Sequence, residues 1–322
     1  MNFEYIGYRL KGTKGMFVSV VAFLLPGTIA MLMLSAVYFS SPTADFLKLI
    51  FRFLAPIIVS ILLWATYNIC RWYIKNFRDL IITGLALSLS FIKISPVVII
   101  LTSGILGMLM AQKLVRKLNM YPIGFFLWTI PLVNEYVKLI TLGTIFFYVG
   151  SISFGGGYAA IPFIIKETSI LRNWISNDEL VAGIAFSQIT PGPVALLATF
   201  IGYKVMGIFG ALVATISIFL PSTIFLYLIL IAKKYFINKK FESLRVYIKH
   251  FINGVKPAIA SYMIYTTISL ALKSNLHQTK LWSLNFFLIL VGFLLIYRLK
   301  VNPIWLILGG IVMGIILTVF KV

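Results

Sequence analysis

The chain has 322 residues, 61% of them hydrophobic and only 11% charged, with a mean hydropathy of +1.02. A water-soluble domain of this length exposes many more charges, so the composition excludes an ordinary globular protein and indicates a membrane protein. The net charge of +20 would suggest nucleic-acid binding in a soluble protein. Here Lys and Arg cluster between apolar runs, as topology signals do, so no nucleic-acid partner is expected and anionic lipid headgroups are the counter-charges.

In chain order the clearest apolar runs are Met16–Phe39, Leu54–Cys70, Pro96–Met110, Ile140–Ile165, Ile208–Ala232 and Ile304–Phe320. A bilayer core about 30 Å thick needs about 20 helical residues, which most of these runs approach. They lack the alternation of barrel strands, so the expected fold is all-α and polytopic, with about 9–11 membrane helices, some broken. The first run is too long for a signal-peptide core and is read as a retained helix. A single cysteine, Cys70, and two histidines, His250 and His277 near loops, offer no metal cage. No metal or organic cofactor is expected. No His/Cys/Asp/Glu cluster falls inside an apolar run, which argues against a membrane-embedded enzyme.

Two stretches repeat. Ile6-Gly7-Tyr8-Arg9, Gly12, Gly15 and Leu25-Pro26 align with Ile201-Gly202-Tyr203-Lys204, Gly207, Gly210 and Leu220-Pro221 at a constant offset of 195. Pro56 then aligns with Pro257, Lys93 and Pro96 with Lys300 and Pro303, and Gly107 with Gly314. Lys/Arg-rich flanks in one copy (Arg9/Lys11/Lys14) face poor flanks in the other, and Lys233–Lys249 is rich where the first copy is poor. By the positive-inside rule the copies are expected to be inverted, an architecture of secondary transporters with the substrate site at the repeat interface. The copies are unequal. Residues 1–118 read as a partial first copy, 119–138 as a connector and 139–322 as a complete second copy. The front block of the second copy has no counterpart before Ile6, either because the first copy lacks it or because the reading frame opens at an internal Met.

That block is where chemistry is expected. It holds Ser153-Phe154-Gly155-Gly156-Gly157-Tyr158, then Lys166-Glu167, Trp174, the turn Ser176-Asn177-Asp178-Glu179, and Gln188-Ile189-Thr190-Pro191-Gly192-Pro193. Ser176 or Asn177 with Glu179 predicts a helix start, with the helix running to the Pro-Gly-Pro break. Gly and Pro cost about 1 and 3 kcal/mol each in a helix relative to Ala. Broken helices persist in lipid only against protein or a water-lined cavity. The freed amides of Gly155–Gly157, and of Val194, Ala195 and Leu196 with Pro193 at N1, would sit at positive helix ends suited to an oxyanion. Ser187, Gln188 and Thr190 would add neutral side-chain contacts. The bland alternative is that the glycines allow close helix packing and Pro-Gly-Pro is a kink. Lys256 reads either as a cation that attracts the anion or as a lysine snorkelling to the interface. Glu167 and Glu135 read either as proton-coupling carboxylates or as interfacial residues.

These motifs resemble the chromate ion transporter (CHR) family. Its marks here are Ser-Phe-Gly-Gly-Gly at 153–157, Ile161-Pro162, Glu167, Trp174, Gln188-x-x-Pro-Gly-Pro at 188–193, Gly202-Tyr203, Gly207, Gly210, Pro221 and Gly254-x-Lys256-Pro257-Ala258. The resemblance covers nearly the whole chain. It implies an oxyanion carrier of the plasma membrane, of chromate-efflux type with sulfate as a related substrate. The substrate site would comprise Phe154, Gly155, Gly156, Gly157, Ser187, Gln188, Thr190, Pro191, Gly192, Pro193, Val194, Ala195 and Lys256, with Glu167 as the proton-coupling candidate. Bidomain members of the family carry both motifs twice and single-domain members pair. A homodimer, or pairing with a second CHR chain, is therefore the expected assembly. The alternative is a non-transporting scaffold or partner subunit, or an inactive truncation product.

Overall fold

The computed structural model describes residues 2–40, 44–92, 94–110, 135–153, 157–235, 242–273 and 282–319. Among the described residues the ordered elements are all helical, with eleven α-helices: α1 (Asn2–Ser40), α2 (Ala44–Tyr73), α3 (Phe77–Phe91), α4 (Pro96–Leu109), α5 (Glu135–Ile152), α6 (Gly157–Ile165), α7 (Asn177–Ile189), α8 (Leu197–Tyr235), α9 (Glu242–Lys273), α10 (Trp282–Leu299) and α11 (Pro303–Val319). A π-helical turn at Lys166–Ile170 follows α6, and a 3₁₀ turn at Val194–Leu196 precedes α8. Among the described residues three helices are long and apolar enough to cross a bilayer, at Phe3–Phe39, Leu54–Tyr73 and Val194–Ile231. Shorter apolar helices lie at 96–109, 137–152, 283–299 and 303–316. The all-α membrane architecture expected from the sequence is present. The apolar run 140–165 is split between α5 and α6, and the 121–133 run lies outside the described residues.

The internal repeat is visible in the backbone. Helix α1 doubles back at Lys11-Gly12 and α8 at Met206-Gly207, and the two turns share dihedrals: Gly12 has φ 61°, ψ −147° and Gly207 has φ 60°, ψ −148°. Only glycine adopts that conformation without strain. In each hairpin two further glycines bring the arms together. A Cβ on Gly7 would lie 2.4 Å from the Gly15 carbonyl oxygen, and one on Gly202 would lie 2.4 Å from that of Gly210.

The copies exchange partners. Helix α2 packs against α10 and α11 of the second copy, while its counterpart α9 packs against α3 and α4 of the first. The contacts correspond in detail. Gly314 abuts the carbonyl of Ile50 and Gly107 that of His250, each with 3.0 Å between an added Cβ and the oxygen. Where α2 meets α9, the buried hydroxyls of Thr66 and Thr267 hydrogen-bond at 2.9 Å. These positions are equivalent at the offset of Pro56 and Pro257, and a residue meets its own equivalent only across a two-fold relation. Thr267 also donates to the carbonyl of Met263, so Thr66 is the donor between the two hydroxyls. Thr267→Val removes its acceptor, whereas Thr66→Val leaves Thr267 bonded. Thermal unfolding in detergent should therefore show a loss of about 0.6 kcal/mol or more for Thr267→Val, less for Thr66→Val, and a double variant milder than the sum.

Candidate functional site

The sequence between α6 and α8 is built to interrupt helices. Helix α7 begins at the expected point. Ser176 is its N-cap, accepting from the Glu179 amide at 3.3 Å, while the Glu179 carboxylate accepts from the Ser176 amide at 2.8 Å. Burial raises the pKa of Glu179, but the paired Lys204 ammonium and the Ser176 hydroxyl and amide outweigh it and hold the carboxyl below its ordinary value. The helix ends at Ile189, where Thr190 turns extended and Gly192 takes φ 135°. Pro193 is the N-cap of the following turn (φ −78°, ψ 144°) rather than its first helical residue.

Two helix starts meet here. Helix α6 opens at Gly157, and a Cβ on that residue would lie 3.1 Å from the Val194 amide nitrogen and 3.3 Å from that of Ala195. The N-terminal ends of α6 and of the turn leading into α8 therefore converge, each bearing roughly half a positive charge. Beside them is a cavity of about 440 Å³ lined by Gly157, Ala160, Pro193 and Ala195 on this side. Gly150 of α5 and Ser153 just after it, Glu4 and Ser19 of α1, and Ser222 of α8 line the rest of its polar and small-residue wall. The space admits an oxyanion together with water, each water taking about 30 Å³.

Of the residues singled out from the sequence, the cavity brings together Gly157, Pro193 and Ala195. Phe154, Gly155 and Gly156 lie outside the described residues. The Val194 amide faces Gly157, but the Leu196 amide donates to the Pro193 carbonyl at 2.9 Å and is not available to a ligand. Ser187 spends its hydroxyl on Ile184 of its own helix. Gln188 accepts from the Tyr158 hydroxyl at 2.9 Å, which ties the end of α7 to the start of α6. Its Nε2 and the Thr190 hydroxyl are buried with no hydrogen-bond partner among the described residues. Pro191 turns its carbonyl toward Gly27 of α1, where an added Cβ would sit 2.1 Å from the oxygen. Lys256 is partly exposed on α9, bonded to Asn253 at 3.2 Å, and does not line the cavity. Glu167 is buried and closed in an ion pair with Arg172.

Two buried ionisable residues were given no role from the sequence. Lys166, on the π-helical turn, donates to the Ile94 carbonyl at 2.7 Å and the Tyr262 hydroxyl at 2.9 Å. It thereby bolts the block to the α3–α4 connection and to α9. Glu4 is 7% exposed and accepts from Thr223 at 3.2 Å; Ser222, whose hydroxyl donates to the Phe219 carbonyl at 2.8 Å, lies 3.5 Å away. Glu4 stands in the flank that precedes the first apolar run and is one of only eight acidic residues in the chain.

Broken helices whose N-terminal ends converge beside a cavity are a recurrent feature of secondary membrane transporters. The sequence profile described as Chromate transporter matches residues 3–108 and 140–315; the chain belongs to that family. It is 30% identical to an uncharacterized transporter of Methanocaldococcus jannaschii, over 96% of this chain and 78% of that protein. It is 28% identical to the chromate transport protein of Cupriavidus metallidurans, over 84% of this chain and 67% of that protein. With the chromate transport protein of Pseudomonas aeruginosa it shares 24% identity over 83% of this chain and 66% of the other. No solved structure matches the chain. The protein is thus a helical integral membrane protein of an anion-transporter family, with an ion as substrate.

Proposed function

We propose that the chain is a multi-pass secondary carrier of the plasma membrane that moves an inorganic oxyanion, chromate or sulfate, in the chromate-efflux manner. The observation that carries this reading is the convergence of the helix starts at Gly157 and Val194 beside one cavity. Neutral amide dipoles bind a tetrahedral dianion without a fixed counter-charge, so it can also be released. The buried, unpartnered Gln188 Nε2 and Thr190 hydroxyl add donors next to the break, because a buried donor without a partner is costly unless something else accepts from it.

The two copies, 1–118 and 139–322 joined by 119–138, would sit inverted in the bilayer and rock against each other about the α2–α9 crossing. The partner exchange between copies and the alternation of basic flanks support this arrangement. Pairing as a homodimer or with a second chain of the family would complete the assembly. The test is chromate and sulfate flux into proteoliposomes containing the intact chain, with Gln188→Ala alongside. Flux that falls about tenfold or more in the variant supports the site, since losing one oriented donor costs that much or more. Unchanged flux in the variant removes Gln188 from it. No flux from the intact chain favours the scaffold or partner-subunit reading.

A further inference from the structure

A second cavity, an apolar groove of about 490 Å³, lies between the long arms of α1 and α8, where the two copies meet. We propose that it seats an anionic phospholipid, with one acyl chain in the groove and the headgroup phosphate on Arg9, Lys11 and Lys14.

The walls come from equivalent residues. Phe17, Val21 and Leu25 of α1 stand 195 positions before Leu212, Ile216 and Leu220 of α8, and all six line the groove. All six are also exposed, as residues that face lipid are. The three hydroxyls in the lining are spent within the protein. Thr28 donates to the Leu24 carbonyl at 2.9 Å, Thr215 to the Ala211 carbonyl at 2.7 Å and Thr223 to Glu4 at 3.2 Å. The groove therefore asks nothing polar of its occupant. On α1 its lining runs from Phe17 to Leu32, about 22 Å at 1.5 Å per residue. One leaflet's hydrocarbon is roughly 15 Å deep, so an acyl chain fits lengthwise.

Charge distinguishes the two ends. Met16, at the start of the long arm of α1, packs with Leu226 and Leu230 near the end of α8. The arms thus run antiparallel, and each mouth of the groove lies by the tip of one hairpin. The first tip carries Arg9, Lys11 and Lys14, all exposed, with Lys14 one turn before Phe17. The Arg9 guanidinium sits 5.8 Å over the Tyr5 ring. At the second tip the equivalents are Lys204, Met206 and Phe209. Lys204 is ion-paired with Glu179, and the other two carry no charge. A groove with matching walls is therefore basic at one mouth only. Guanidinium binds phosphate through paired N–H groups and each lysine adds a point charge, so the first mouth selects an anionic head. A second copy of this chain, with a net charge of +20, would bring like charge to that mouth.

A chain seated there touches both copies. Val20, Leu24 and Phe219 line this groove and the candidate-site cavity alike, so they alone stand between the lipid and that space. The lipid site does not depend on the carrier reading.

The test uses the full chain in phosphatidylcholine vesicles doped with a phospholipid that bears a diazirine midway along one acyl chain. The head is phosphatidylglycerol in one arm and phosphatidylcholine in the other. After irradiation, labelled peptides are mapped by mass spectrometry. The phosphatidylglycerol probe should label segments 17–32 and 212–223 about tenfold more than the phosphatidylcholine probe, each basic residue near the head being worth roughly fivefold before screening. Arg9→Gln/Lys11→Gln/Lys14→Gln should remove that preference. Arg71→Gln/Lys75→Gln/Lys249→Gln, which neutralises exposed residues away from the groove, should keep it. Ile216→Trp fills the groove with the cations intact and should abolish labelling of both segments, which covers the case in which the first triple variant does not insert. Equal labelling by the two probes in the wild type overturns the proposal, as does no labelling of the two segments. An unchanged preference in the first triple variant, an equal loss in the control triple, or unchanged labelling in Ile216→Trp overturns it too.

Discussion

Gly157→Val should reduce oxyanion flux by about 100-fold, the scale of loss expected when a reacting or binding group is displaced by about 1 Å. The reason is local. At this position even the first carbon of a side chain would sit 3.1 Å from the Val194 nitrogen and 3.2 Å from the Val194 Cβ. Both neighbours belong to the start of the turn that leads into α8, whose backbone must shift to make room. Gly157→Ala should therefore give an intermediate loss, and valine the full one, since the branched chain adds methyls on the same side. The cost falls on the geometry of the amides rather than on the rest of the fold, because only the 194–195 backbone is crowded. Gly84→Ala is the control: an added Cβ there meets nothing within 4 Å, and flux should stay at wild-type level. All three variants are checked by sulfate or chromate uptake at matched protein density in the vesicles. Wild-type flux in Gly157→Val would remove the convergence of helix starts from the transport mechanism.

Some of this site was legible in the sequence because local chemistry determines it. The Ser176–Glu179 capping box fixes the start of α7 wherever the helix ends up, and Pro191-Gly192-Pro193 ends it for backbone reasons alone. The offset of 195 likewise carried Gly12 onto Gly207, and the two turns proved to share their dihedrals. Other features depend on which face of a helix meets which neighbour. Membrane sequences encode that weakly, since lipid and protein interior are similarly apolar. Phe17 and Val18 are exposed while Leu54 and Ile58 are fully buried, and nothing in their hydrophobicity separates them. For the same reason the spacing of Lys256 could not tell a cavity cation from one bonded to Asn253 on its own helix. The partial involvement of Ser187, Gln188 and Thr190 has the same origin. The front arm of α1 was read only as a charged flank, so its fold-back, and with it the burial of Glu4, was invisible. The turn at Gly12 and the contact between Gly7 and Gly15 show that the arm turns back on the helix that follows.

That contact yields the second large effect, and the repeat turns it into a paired expectation. Gly7→Ala and Gly202→Ala each place a Cβ 2.4 Å from a backbone carbonyl oxygen across a hairpin, at Gly15 and Gly210 respectively. A backbone atom cannot rotate away as a side chain does, so each hairpin must open, at the upper end of the roughly 1–3 kcal/mol cost of overpacking. The two losses should be similar in size, because the hairpins have the same turn geometry. They should differ in consequence. Opening the second hairpin moves the arm Leu197–Val205, which is directly joined to the turn at Val194, so Gly202→Ala should lose flux together with stability. Opening the first moves the arm whose Phe3 and Glu4 line the far side of the cavity, so Gly7→Ala should lose less flux than Gly202→Ala. Thermal unfolding of the purified variants in detergent checks the first expectation, and anion uptake at matched protein density in proteoliposomes checks the second. Unequal destabilisation, with one hairpin tolerant of alanine, would mean that the shared dihedrals do not reflect a shared energetic role.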